Sequence, residues 1–304
     1  MRALITGSQG FVGGYLRREL EDNGYEVIGL DIRPGEETVQ ADLLDAERLT
    51  QLIGELKPDA VFHLAGQADV ARSWKIPRRT VEINVIGALN LLEAVRAYRK
   101  DVRVLLVGSS DQYGDLGEAG QYVSEALAMN PQTPYAVSKK AQEEMAKVYA
   151  RAYGLHICMT RSFNHGGAGQ REGFLIPDFA AGVTRVEKGL AKCLKVGDLT
   201  SRRDFTHVKD IVRAYRLIAE KGAPGEVYNV GSGTVYSARE ILNKLCAMAV
   251  CPIPVEQDPG KMRPSDTPVI CCDRSKLTAH TGWEPEIPLD VILWDVLEEW
   301  RGRI

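Results

Sequence analysis

Residues 1–20 read MRALITGSQGFVGGYLRREL. Ala3-Leu-Ile-Thr6 is a short apolar run that stops at Gly7. Gly7, Gly10 and Gly13 then recur at three-residue spacing, and Phe11, Val12, Tyr15, Leu16 and Leu20 follow at helical intervals. A strand, a glycine turn and a helix in that order make a phosphate-binding turn. The glycines permit the tight bend, let backbone N–H groups approach a pyrophosphate and let the helix pack closely, while the helix N-terminus favours an anion. Gly7, Gly10, Phe11, Val12 and Gly13 are therefore expected to hold a dinucleotide.

Outward from this turn, short apolar runs alternate with segments of helical period. Gly24 closes the first helix. Strands are expected at Val27–Leu30, Ala60–Leu64, Val102–Val107 and Ile157–Thr160, and helices at 45–56, 80–99 and 137–153. Continuous apolar strands are buried on both faces, so the expected fold is α/β, a Rossmann-type doubly wound parallel sheet with a smaller α/β substrate-binding lobe. After Asn164 glycines and prolines crowd in, with helices near 176–188, 208–221 and 237–249 and a strand at Val227–Val230. The cofactor domain is expected at 1–163 plus about 203–231, and the smaller lobe at about 164–202 and 232–304.

The 304 residues carry 38 Lys and Arg against 41 Asp and Glu, a net charge of −3, and 44% are hydrophobic. That composition excludes wholesale disorder, and the balanced charge argues against a nucleic-acid or anionic-membrane partner. Glycine, with 29 copies, exceeds the usual ~7%. Six cysteines without C-x-x-C spacing are read as reduced thiols, and no apolar run reaches the ~18 residues of a membrane span. A cytoplasmic protein is expected. No His, Cys, Asp and Glu set has metal-ligand spacing, so no metal is expected.

Asp31 ends the second strand, close to the roughly 20 residues at which a ribose-binding carboxylate is expected. It favours NAD over NADP, whereas Arg33 could swing over a 2′-phosphate. Asp42, with Leu43 beside it, is placed to meet the adenine edge. Tyr135 and Lys139 lie four residues apart on an expected helix that Asn130-Pro-Gln-Thr-Pro134 would start. On one helix face the ammonium could lower the phenol from about 10 toward neutrality, making Tyr135 a general acid or base. Gly108-Ser109-Ser110-Asp111-Gln112-Tyr113-Gly114 follows the strand VRVLLV, where open α/β sheets bind ligands.

Taken together these residues resemble the extended short-chain dehydrogenases/reductases that act on nucleotide-activated sugars. The resemblance rests on TGSQGFVG (6–13), HLAG (63–66), Asn84 in NVIGALNLLEA, GSSDQYG (108–114), PYAVSK (134–139), RSFNHGGAGQ (161–170), RRDFTHVKD (202–210), YNVGSG (228–233), RPSD (263–266) and GWEPEIPL (282–289). Within the family the motifs are most similar to those of GDP-4-keto-6-deoxy-D-mannose reductases, with GDP-mannose 4,6-dehydratases as near relatives. The resemblance implies an NAD- or NADP-dependent oxidoreductase, a GDP-linked sugar substrate and a homodimer paired through the segments near 80–99 and 137–153.

It further implies that Ser109 and Tyr135 bond the sugar oxygen at C4 and that Lys139 holds the cofactor ribose. Leu64, Ala65, Ser162 and His165 would border the cofactor, and Asn84, Ser110, Asn164, Arg203 and Arg263 the substrate. Dehydratases of the family need an added acid/base pair where this chain has Ser110 and Asp111, and aspartate is one methylene shorter than the usual glutamate. A dehydratase or 4-epimerase is thus the second enzymatic reading, and a dinucleotide-sensing protein the non-enzymatic one. His63 and His207 are read as structural, and Cys271-Cys272 as strand packing.

Overall fold

The computed structural model describes residues 1–114, 122–261 and 269–304. The chain runs through β1 (Arg2–Thr6), α1 (Phe11–Asp22), β2 (Glu26–Asp31), β3 (Thr38–Gln40), α2 (Ala46–Leu56) and β4 (Ala60–His63). Next come α3 (Val70–Lys75), α4 (Pro77–Val81), a π-helical turn at Glu82–Ile86, α5 (Gly87–Tyr98) and β5 (Arg103–Ser109). A 3-10 turn (Ser110–Gln112) precedes β6 (Tyr122–Val123), α6 (Pro134–Tyr153), β7 (Ile157–Ser162), β8 (Asn164–Gly166) and α7 (Leu175–Glu187). The remainder comprises β9 (Leu194–Val196), β10 (Arg202–His207), α8 (Val208–Lys221), β11 (Val227–Val230), β12 (Val235–Ser237) and α9 (Ala238–Ala247). It ends with β13 (Val255–Gln257), β14 (Val269–Cys272), α10 (Ser275–Thr281) and α11 (Leu289–Arg303).

Seven strands form one parallel sheet in the order β11-β7-β5-β4-β1-β2-β3. Successive strand residues point to opposite faces, and each face has its own core. Leu4, Val61, Val104 and Leu106 pack with Leu52, Leu91 and Ala146 on one side. Ala3, Ile5, Phe62 and Leu105 pack with Leu16, Ile211 and Tyr215 on the other. The chain leaves β1 toward β2 and β3, then returns to place β4 on β1's opposite side. That reversal opens a crevice at the carboxyl ends of the strands, the place where such sheets bind ligands.

A second, mixed sheet joins β12, β10, β14 and β6, with β8 beside β10, and β13 pairs β9 separately. Its lobe is packed around Phe179, Ala180, Ile241, Leu245 and Leu293. The expected division by residue number needs correction. Residues 203–207 lie in β10, whose hydrogen bonds go to the smaller sheet, so the return to the large sheet begins at Val208. Tyr122–Val123 pairs with β14 in the smaller sheet. Conversely, Leu277 and Trp283 lie in the core beneath the large sheet, where the Trp283 indole donates to the Asp210 carbonyl at 2.9 Å. The Asp210 carboxylate in turn accepts the backbone N–H groups of Glu286 and Ile287.

The expected helix at 80–99 begins at Pro77 and contains the π-turn, whose single extra residue per turn re-aims side chains. Thr133 caps α6 by accepting from the Ala136 N–H, with Pro134 in its first turn. His207 caps α8, and Cys271 and Cys272 lie in β14. Among the described residues no helix is long and apolar enough to cross a membrane, and no cluster of His, Cys, Asp and Glu could hold a metal ion.

Candidate functional site

The glycine turn occupies the crevice beside β1. Gly7 adopts φ +75°, and a Cβ there would lie 2.8 Å from the Ala65 nitrogen, so Ala65 and Leu64 press the turn from the β4 side. A Cβ on Gly13 would lie 2.6 Å from the carbonyl oxygens of both Gly7 and Ser8. The turn is thus closed so tightly that only hydrogen atoms fit. Gly10 caps α1 without any side-chain hydrogen bond, and the first turn holds no acidic residue. Among the described residues no side chain caps that helix end, which leaves it open to an anion. Phe11 and Val12 begin the helix; the Phe11 ring meets Tyr15 edge-on, and the Tyr15 hydroxyl donates to the Ala168 carbonyl at 2.8 Å. The segment after β8 therefore folds over this end of α1.

Asp31, 7% exposed, is no solvated strand end. Its carboxylate accepts the backbone N–H of Gln9 and that of Arg33, each at 3.0 Å, and the Arg33 guanidinium stands 3.4 Å away. The Gln9 side chain crosses to Thr38 on β3. Asp42 is half-exposed and caps the turn through the Leu44 N–H, with Arg79 3.8 Å away, while Leu43 is buried.

At the end of β5, the Ser109 hydroxyl accepts the Asp111 N–H at 3.2 Å and lies beside the Tyr135 phenol. Tyr135, Lys139 and Ser109 are thereby brought to one place. The expected pull of Lys139 on the phenol is not what the structure shows. Burial raises the Tyr135 pKa above its ordinary value, the Asp111 charge raises it further, and only the Ser109 hydrogen bond opposes them. Lys139 instead donates to the Val107 carbonyl at 2.8 Å and to Gln142 Oε1 at 3.0 Å. Burial lowers its own pKa to about 8.

Asn84, expected beside the substrate, requires a correction. It is fully buried, its Oδ1 accepts the Gln67 N–H at 2.7 Å, and its Nδ2 donates to the Gln67 carbonyl and the Ser138 hydroxyl. Its amide is spent on holding the loop after β4 against α6. Ser110 is 3% exposed and accepts the Tyr113 N–H through its carbonyl. Ser162 faces Tyr215, with oxygens 2.7 Å apart. His165 lies in β8 with Nδ1 2.9 Å from the Phe163 carbonyl, and Asn164 beside it is exposed. Arg203 sits in β10 opposite Tyr236, its guanidinium donating to the Arg202 carbonyl. Arg263 lies outside the described residues.

His63, read as structural, is fully buried with Nδ1 2.8 Å from the Thr6 hydroxyl. Burial, with a smaller contribution from the Lys139 charge, lowers its pKa to about 3. Sequence reasoning missed Gln9, Gln112 and Glu143. For Glu143 a signal existed: it continues the four-residue spacing of Tyr135 and Lys139 along α6.

Residues 4–296 match the family model described as GDP-mannose 4,6 dehydratase. The chain belongs to that family. Over 306 residues it is 36% identical to a GDP-6-deoxy-D-mannose reductase of Pseudomonas aeruginosa, covering 100% of this chain and 98% of the relative. The structure of RMD from Pseudomonas aeruginosa complexed with NADPH superposes with a TM-score of 0.91 at 36% identity, covering 100% and 99% of the two chains. A UDP-glucose 4-epimerase of Thermus thermophilus in complex with NAD gives a TM-score of 0.88 at 32% identity, with both chains covered fully. The parallel sheet that carries the glycine turn is thus the fold of these relatives.

Proposed function

We propose that the protein reduces the C4 keto group of a nucleotide-linked 4-keto-6-deoxyhexose, GDP-linked, at the expense of NADH or NADPH. The observation that supports this reading is the Ser109 hydroxyl set beside a Tyr135 phenol whose proton burial retains, at the crevice beside the glycine turn. Reduction of a ketone ends with a proton on oxygen, and a protonated phenol can give it because the alkoxide formed at C4 is the stronger base. The full-length similarity to a GDP-6-deoxy-D-mannose reductase supports the substrate class.

The residues present fit a dinucleotide. The closed Gly7–Gly13 turn and the uncapped start of α1 suit a pyrophosphate. Leu64 and Ala65 press on the same turn, and Ser162, His165, Asp31, Asp42 and Leu43 are assigned to the cofactor in this reading. A reduced nicotinamide bound there supplies the hydride. The chain's own residues do the rest: the Ser109 hydroxyl polarises the C4 carbonyl, Tyr135 protonates its oxygen, and Lys139 offers the ribose the third of its N–H donors. Val107 and Gln142 take the other two. Asp111 keeps the phenol protonated. Asn164, Arg203 and Arg263 are assigned to the substrate's diphosphate and nucleoside, for which paired guanidinium groups are chemically suited.

Asp31 favours a free ribose hydroxyl, and Arg33 beside it offsets part of that charge, so the reading is a preference for NADH with NADPH also used. The dehydratase alternative needs Ser110 in an acid/base pair, and its burial at 3% exposure weighs against it. A homodimer through α5 and α6 is supported by the exposure of Ile86, Val137 and Val148, which are apolar. Neither nucleic acid nor membrane is assigned as a partner, and the compartment is assigned as cytoplasm. The test is to mix the protein with GDP-4-keto-6-deoxymannose and NADH or NADPH. One reduced cofactor consumed per sugar is expected; water elimination from GDP-mannose without cofactor consumption would overturn the assignment.

A further inference from the structure

Behind the Ser109–Tyr135 pair lies a chain of buried polar groups. The Gln112 Oε1 accepts the Ser109 backbone N–H at 2.9 Å. The Gln112 Nε2 donates to Glu143 Oε2 at 2.7 Å. Arg161 closes the chain, donating Nε to Glu143 Oε2 at 2.9 Å and Nη2 to Oε1 at 2.7 Å. Arg161 Nη1 in turn donates to the Tyr113 hydroxyl, and that hydroxyl donates to Asn229 Oδ1 at 2.7 Å. Gln112, Tyr113 and Asn229 are fully buried, Glu143 is 2% and Arg161 3% exposed.

The chemistry fixes the sense of every link. A carboxylate only accepts, so the Gln112 amide must turn its N–H₂ toward Glu143, which leaves its oxygen for Ser109 and no alternative flip. Both Glu143 oxygens are held by the Arg161 fork, so the carboxylate cannot rotate. Tyr135, Lys139 and Glu143 stand at four-residue intervals on one stripe of α6. Gln112 belongs to the turn that begins at Ser109. A buried ion pair adds little net stability beside apolar side chains of like volume, and orientation is what this one supplies.

We propose that Gln112 and Glu143 are positioning residues that clamp the Ser109 turn to the stripe of α6 bearing Tyr135 and Lys139, and so set the separation of the Ser109 hydroxyl and the Tyr135 phenol. Neither touches substrate or cofactor; they act through Ser109. The catalytic consequence rests on the reductase reading above, whereas the clamp itself does not.

The experiment is a double-mutant cycle of Gln112→Met with Ser109→Ala, read by NADPH consumption with GDP-4-keto-6-deoxymannose. Misplacement by about 1 Å costs some hundredfold in rate, so Gln112→Met alone is expected to lower kcat roughly 100-fold with the sugar-nucleotide KM unchanged. In the Ser109→Ala background the same change is expected to cost less than about twofold, since its effect runs through Ser109. Equal losses in both backgrounds would overturn the proposal.

Gln112→Leu also removes the acceptor of the Ser109 N–H and carries the comparison should Gln112→Met fail to fold. It is expected to lower kcat as Gln112→Met does, and unchanged kcat would overturn the clamp. Hydrogen exchange at the Ser109 amide needs no substrate. Protection in the wild type that is lost in the Gln112→Met variant supports the clamp, and an unchanged rate overturns it. A wild type that consumes neither NADH nor NADPH but shows this pattern would sink the reductase reading and leave the clamp standing.

Discussion

Lys139 gives its ammonium to the carbonyl of Val107, 2.8 Å away, although Tyr135 stands one helical turn before it on the same face of α6. Burial, and after it the Asp111 charge, raises the Tyr135 pKa above its ordinary value, and in the function proposed above the proton it retains is what Tyr135 contributes.

Tyr135→Phe is expected to lower kcat by about 10²–10⁴-fold, the usual worth of a positioned general acid. The affinity for NADPH, measured by fluorescence titration, should stay within a factor of about two, since that variant leaves the glycine turn intact. A parallel loss of affinity would make Tyr135 a binding group instead.

Asp31 and Arg33 are expected to have opposite effects on cofactor choice. Asp31→Ala should raise the KM for NADH about tenfold more than that for NADPH, the worth of one charge-assisted bond. Arg33→Ala should do the reverse. Because Asp31 also accepts the Gln9 N–H inside the glycine turn, a general weakening is expected beneath the difference. Equal KM changes for both cofactors would show that Asp31 acts on the turn alone.

Gly13→Ala places a methyl group 2.6 Å from two carbonyl oxygens of the turn. Neither is a flexible side-chain end. The expected result is destabilisation by about 1–3 kcal/mol, as for other overpacked sites, together with a raised Kd for both NADH and NADPH. Urea unfolding and calorimetric titration check the two parts separately.

His63 confers an acid sensitivity whose sign follows from burial. Its pKa is lowered to about 3, by burial first and the Lys139 charge second, against an ordinary value of 6.5. Below pH 6.5 the unfolded chain takes up a proton that the folded chain refuses, so stability falls as pH drops toward 3. At pH 5 this amounts to about 2 kcal/mol relative to pH 8. Urea unfolding of the wild type and of His63→Gln at the two values should differ in pH dependence by that order; parallel curves would show that His63 ionises freely.

Trp283→Ala is expected to destabilise the protein by about 3–5 kcal/mol, the range for an emptied aromatic site. The indole is fully buried beneath the large sheet and bonded to the Asp210 carbonyl. Thermal unfolding followed with and without NADPH would show both the lower midpoint and a weaker shift by the cofactor. A midpoint unchanged within a degree would place Trp283 outside the core.

The legible parts of the sequence are those governed by near neighbours. The glycine spacing announces the turn, the apolar runs announce the buried strands, and Val208–Lys221 can be read at its observed ends because His207 and the apolar period mark them. Strands of three residues such as β3 and β12 carry too short an alternation to stand out, and their existence depends on partners far along the chain. Asn84 is expected to face substrate because nothing local tells of the π-turn that aims it at Gln67 and Ser138. The spacing of Tyr135 and Lys139 correctly gives one helix face. It does not reveal that β5 offers Lys139 a carbonyl, nor that burial outweighs the charge on the phenol.

Trp283 also bears on how the polypeptide is made. The nucleotide-turn half begins at the first strand, yet one of its largest buried side chains is made only after every strand of its sheet. Until that residue clears the ribosome tunnel, the face of the sheet formed by Phe62, Leu105 and Tyr215 lacks its final cover. The nascent chain must therefore hold a complete set of strands with an open apolar floor, and the interval between the last strand and Trp283 is where a chaperone has most to shield.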